Sequence, residues 1–226
     1  MLEGRVQIFC RRLVNRCAPC LLVLLLAALP AHAESLVLAW PSAGDRDDWE
    51  IEEFEGETRY RVVKIGGQRV LEANSDATAS SLYLEREIDI AATPILEWRW
   101  RIEKPLSLDD ERIKAGDDYA ARVYVVAPGE GMFGLPRAIS YVWANQAEVG
   151  ESWPNPFTSK VMMVAMDSGD AEAGTWRTHR RDVRADFLRL FDMEVDELEG
   201  IAVMTDSDNS GQSARAWYGE LAFHAE

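Results

Sequence analysis

Between Pro94 and Glu103 the chain reads PILEWRWRIE and alternates without a break. Leu96, Trp98, Trp100 and Ile102 fall on one side, and Glu97, Arg99, Arg101 and Glu103 on the other. An extended strand points successive side chains to opposite faces, so it sorts such a run into one apolar and one charged surface. An antiparallel sheet covered on one side is where both surfaces are satisfied. The same period-2 pattern recurs at residues 35–40, 60–65, 68–73, 81–87, 118–126, 137–143, 160–166, 175–180, 200–205 and 214–223. Gly66-Gly67 separates two of these runs and marks a hairpin turn, because glycine accepts the positive φ that tight turns need.

One stretch departs from the pattern. DVRADFLRLF, residues 182–191, sets Val183, Phe187, Leu190 and Phe191 at helical spacing, with Asp182 placed to cap the first turn. Many short strands, one helix and no internal repeat predict an all-β fold: an antiparallel two-sheet β-sandwich of jelly-roll type with one short α-helix. A closed barrel is the second choice.

The segment before these strands has another character. Arg5, Arg11, Arg12 and Arg16 precede an apolar run from Leu21 to Leu29, followed by Pro30 and the small-x-small triplet Ala31-His32-Ala33. This order is that of a cleaved export signal, and the run falls short of the roughly 20 residues that cross a bilayer. Cys20 precedes the apolar run instead of following it, which argues against a lipoprotein signal. The expectation is a signal peptide over residues 1–33, a single domain over 34–226, general secretion to the periplasm or beyond, and no membrane anchor after cleavage.

Cys10, Cys17 and Cys20 all lie in the leader, so residues 34–226 form no disulfide and offer no thiolate. The full chain carries a net charge of −15, and the leader holds four of the basic residues. That field repels phosphate backbones and anionic lipid heads, which excludes nucleic acid as a partner. A glycan or another cell-envelope component is compatible with it.

Candidate chemistry concentrates at two places. Asp117-Asp118 opens the run KAGDDYAARVYVV, with Arg122 on the same alternation as Asp118; the pattern reads as a carboxylate and a guanidinium sharing a groove, or as a plain ion pair. TDSDNSG, residues 205–211, supplies Asp206, Asp208 and Asn209 as candidate metal ligands resembling the first half of a calcium loop. Trp217 stands where that loop needs a bidentate glutamate, so a complete EF-hand is excluded, and turn chemistry is the favoured reading. No GxSxG, HExxH or phosphate loop occurs, and His179 has no nucleophile motif beside it. Paired carboxylates are then the remaining catalytic route. Trp143, Trp153 and Trp217 sit at strand ends or in loops and are candidate sugar-stacking platforms.

KAGDDYAARVYVV, YVW at 141–143, RDVRADFLRLF at 181–191 and GIAVMTDSDNSGQSARAWYGELAF at 200–223 together resemble the bacterial family known as domain of unknown function 3047. LEWRWRI at 96–102 fits its tryptophan-rich strand. The resemblance implies an exported single domain, prescribes no activity, and places the family's polar motif residues at Asp117, Asp118, Arg122, Trp143, Arg181, Asp182, Asp206, Asp208 and Asn209. The layout is also similar, more distantly, to galactose-binding-like jelly rolls, through Asp48-Trp49 and the closing aromatic strand. The reading is an exported, non-catalytic binding module for carbohydrate or another envelope polymer, whose ligand residues are Asp117, Asp118, Arg122, Trp143, Trp153, Arg181 and Asp182. The alternatives are a carboxylate-based enzyme on envelope polysaccharide and a calcium-stabilised structural protein; otherwise no cofactor is expected.

Overall fold

The computed structural model describes residues 35–41, 49–129 and 134–226. The leader over residues 1–33 and Asp48 lie outside the described residues. The alternating run folds as strand β6 (Ile95–Ile102), which turns Leu96, Trp98, Trp100 and Ile102 inward at no more than 1% exposure. On one side β6 pairs with β11 (Arg177–Asp182) and on the other with β13 (Ser213–His224). The sheet continues through β4 (Gln68–Asp76) to β3 (Arg59–Ile65), joined by the turn at Gly66 and Gly67, both at positive φ. Strand β1 (Ser35–Leu38) lies on the same edge of β13 as β4, further along it.

The second sheet runs β2 (Trp49–Glu55), β5 (Ala79–Asp89), β12 (Glu197–Met204), β7 (Arg122–Ala127), β8 (Arg137–Ala144), β10 (Val161–Ser168) and β9 (Ser152–Pro154). Its ladders are antiparallel except that between β8 and β10. The inward residues of both sheets form one apolar core, and α1 (Val183–Phe191) adds Val183 and Phe187 to it. Asp182 caps that helix as expected, its side chain accepting from the Ala185 N–H at 2.9 Å. The fold is therefore the expected two-sheet sandwich with one helix.

Three strands differ from the expectation. β2 was not foreseen: Glu50, Glu52, Glu53 and Glu55 swamp its alternation, and as an edge strand it buries little. The short β9 was likewise missed. β7 begins at Arg122 and not at residue 118, because Asp118–Ala121 is buried but irregular: the Tyr119 carbonyl accepts from the Asp206 N–H, and only at Ala121, which accepts from the Trp143 N–H, does pairing with β8 begin.

A buried carboxylate ties the two sheets. Asp167, on β10, accepts from Trp100 Nε1 at 2.7 Å, His179 Nε2 at 2.6 Å and Arg177 Nε at 3.0 Å, three donors of the opposite sheet. Burial raises its pKa, but the hydrogen bonds from His179 and Trp100 outweigh this and hold it below the usual carboxylate value. A depressed folded value means stability present above the unfolded pKa of about 3.9 and lost as pH falls through the folded one. Asp167→Asn should cost about 3 kcal/mol at neutral pH by leaving buried donors poorly matched. In thermal melts the gap to wild type should hold down to about pH 4 and shrink below it.

Candidate functional site

The core-facing residues of the second sheet alternate with a row-by-row pattern on its outer face. The register lines up Glu52, Ser81, Met204, Arg122 and Val142 across five strands. Two residues along, it lines up Glu50, Tyr83, Ala202, Tyr124 and Ser140. Over β8 and β10 this face is covered: Trp153 and Ala147 of the segment after β8 pack with Tyr119 on Val142, Ala144, Met163 and Ala165. Glu111 pins that segment, its carboxylate accepting the backbone N–H groups of Asn145, Gln146 and Ala147 at 2.7, 2.9 and 2.5 Å. Over β2, β5, β12 and β7 the described residues leave a cleft of about 670 Å³ on this face.

The floor is shaped by a glycine. A Cβ on Gly200 would stand 2.2 Å from Tyr83 Oη and 2.5 Å from its Cζ, so only glycine lets the Tyr83 ring lie across β12. Phe54 on β2 and Phe157 between β9 and β10 line the cleft from opposite edges of the sheet, 58% and 56% exposed. Burial, and then the charges of Glu199, Glu85 and Glu52, push the Tyr83 phenol up, which places three carboxylates around that ring.

At one end of the cleft the two acidic segments meet. Arg122 is buried and donates from Nε to Asp206 Oδ1 at 2.8 Å and from Nη2 to Asp206 Oδ2 and the Asp117 carbonyl. Its Nη1 donates to Tyr124 Oη at 3.0 Å and lies 3.5 Å from Asp117 Oδ1. Asp206 Oδ1 also accepts the Tyr119 N–H at 3.2 Å. Asp118 accepts the N–H groups of Asn209 and Ser210 at 3.2 and 2.7 Å and the Asn209 amide at 3.1 Å, so it caps the turn that Gly211 closes at positive φ. Asp117 Oδ2 accepts from Asn155 Nδ2 at 2.7 Å, which ties the covering segment to the same cluster.

Burial pushes the Asp206 carboxyl up, to about 8, with Arg122 pulling the other way and Asp118 and Asp117 adding to the rise. Burial raises Asp117 and Asp208 as well. Asp118, Asp206 and Asp208 bring an oxygen each within 4.8 Å of one another. These groups do not fit calcium. Both oxygens of Asp118 and both of Asp206 already accept from N–H donors, Asn209 turns its amide to Asp118, and a guanidinium contacts Asp206. Calcium takes six to eight oxygens and is repelled by that charge. The turn reading of residues 205–211 accounts for the geometry.

Of the expected ligand residues, Asp117, Asp118, Arg122, Asp206, Asp208 and Asn209 converge, and all but Asp118 line the cleft. Four others do not join them. Trp143, at 0% exposure, faces the core and donates to the Gly169 carbonyl; Trp153, at 6%, is an anchor under the covering segment. Neither is a platform, and Trp217 is covered by Arg101 and Arg215 on the other sheet. Arg181 pairs with Asp186, which also accepts from Tyr141 at 2.9 Å, and Asp182 is the helix cap. Glu52, Phe54, Tyr83, Asn155 and Glu199 went unnoticed in the sequence, where outward polar and aromatic positions carry no mark that separates a cleft from open surface.

No curated protein matches the sequence. Solved structures to which the chain is similar include endoglucanase 3 of Trichoderma harzianum from family GH12, 6% identical, with 87% of this chain and 98% of that one covered at a TM-score of 0.39. Endoglucanase cel12A from Rhodothermus marinus is 8% identical, with 84% and 99% covered at 0.43. The xyloglucanase domain of NopAA from Sinorhizobium fredii, solved with cellobiose, is 9% identical, with 85% and 97% covered at 0.41. Likeness at that level carries no chemistry over to this chain. A family profile, by contrast, matches residues 47–222, from the edge of β2 nearly to the end of β13. The chain belongs to the family described as protein of unknown function DUF3047.

Proposed function

We propose that this protein is an exported, non-catalytic module that holds a saccharide chain of the cell envelope across the outer face of its second sheet. The observation that carries the reading is the open cleft with Phe54 and Phe157 exposed at opposite edges and Tyr83 laid across its floor. Flat rings take the apolar C–H face of a pyranose, while Asp208 and Asn209 at one end of the cleft offer partners for hydroxyls. Export is supported by the basic, apolar and small-x-small order of residues 1–33. The non-catalytic part is supported by the carboxylates of Asp118 and Asp206, whose oxygens are all engaged by protein donors.

Calorimetric titration of the purified protein with a panel of hexasaccharides tests the reading, and heat from none of them would discard it. Phe54→Ala and Phe157→Ala should each weaken binding about three- to tenfold, the worth of one aromatic contact. Both rings are more than half exposed, so the melting temperature should stay within a degree or two. Gly200→Ala should weaken binding by a similar factor by lifting the Tyr83 ring, with a stability change below about 1 kcal/mol.

A further inference from the structure

Glutamates set the electrical sign of the outer groove. Within the cleft, Glu52 and Glu199 stand beside Tyr83, Glu55 lines the same hollow, and Asp117, Asp206 and Asp208 gather at the Arg122 end. A shallower hollow continues past Tyr83 and Glu199, which line both, to Glu50, Glu85 and Glu87. Among the described residues, three nearby cations bear on the groove. The guanidinium of Arg122 is engaged by Asp206 and the Asp117 carbonyl, Arg86 lies in the far hollow, and Lys114 sits 5.1 Å over the Phe157 ring. Two carboxylate oxygens at this end accept no hydrogen bond from the described residues, Asp117 Oδ1, which has only Arg122 Nη1 at 3.5 Å, and Asp208 Oδ1, and both residues line the cleft.

An ionised carboxylate only accepts hydrogen bonds. A groove in which carboxylates predominate among the charged groups suits a ligand rich in donors and positively charged, and it repels uronic acids, sulfates and phosphates. A peptide main chain presents as many acceptors as donors, so most of its carbonyls would find no partner there. A saccharide whose rings bear ammonium groups donates from both hydroxyl and nitrogen, and its C–H faces remain apolar for Phe54, Tyr83 and Phe157. We infer that the chain held in the cleft is an oligosaccharide of amino sugars with free, unacetylated amino groups. This deepens the saccharide reading and rests on it.

The test compares three β-1,4-linked hexamers, of glucosamine, of N-acetylglucosamine and of glucose, with a hexalysine peptide as the fourth probe. At about pH 6, where ordinary carboxylates are ionised, the glucosamine hexamer should bind about tenfold or more tighter than either neutral sugar. At 1 M salt, where charges are screened beyond about 3 Å, that preference should fall below about threefold. The double variant Glu52→Gln, Glu199→Gln should lower the same ratio at low salt. Neutral hexamers binding as well as the glucosamine hexamer would overturn the inference and leave the saccharide reading intact. Hexalysine binding as tightly as glucosamine hexamer would overturn it too, by showing that charge alone selects. If no sugar binds, both readings fall.

Discussion

One buried guanidinium organises the part of the molecule where chemistry gathers. Arg122 cannot shed its charge, so folding must supply it with partners or forfeit several kcal/mol. It finds them in Asp206, 84 residues away, in the Asp117 carbonyl, and in Tyr124 on its own strand. The fork geometry of a two-pronged Arg–carboxylate contact fixes the exit of β12 against the start of β7. From that contact the neighbouring constraints follow. Asp118, next to the Arg122-bound carbonyl, is turned to cap residues 209 and 210, and Asp117 reaches Asn155 and so draws in the segment that covers β8 and β10. Three stretches of chain are held at one end of the cleft by a single charge.

Much of the architecture could be read directly from residue order, since the physical cause is local. The alternation in β6 has the same outcome in any sheet buried on one side, and the Asp182 cap needs only its own helix. The acidic edge strand β2 was hidden because its register is set by β5 and not by its own pattern. The cluster was half visible: Asp117, Asp118, Asp206 and Asp208 stand out as residues, but which of them meet depends on pairings more than eighty positions apart. Trp143 shares its alternation with Ile139 and Tyr141 and faces the core with them, so its burial is legible in the strand pattern. Trp153 could not have been placed, because nothing local says that half of an outer face will be covered.

The two outer faces meet this covering problem in opposite ways. On the first sheet, Arg61, Glu72, Trp217 and Arg101 lie in one row across four strands. Glu72 accepts from Arg61, Arg215 and Trp217, while Arg101 and Arg215 lie over the Trp217 ring at 4.1 and 4.8 Å. Burial raises Glu72, but the hydrogen bonds from Arg215 and Arg61 hold its carboxyl below the ordinary value. That face pairs its central carboxylate and covers its indole with its own side chains.

The second sheet cannot do the same, and the reason is side-chain size on its inner strands. β13 turns Arg215 and Trp217 outward, bulky groups that fill the space above their sheet. β12 turns out Gly200 and Ala202 at the corresponding depth, and the room above them is taken only by the flat ring of Tyr83. Two small residues thus make a hollow, and the carboxylates on either side of it have few cations to pair with. A sheet face left concave, ring-floored and acidic in a fold whose other face is closed by cation–π and ion-pair contacts is where a ligand gains most from arriving, because there the protein's own residues have left both apolar surface and charge unpartnered.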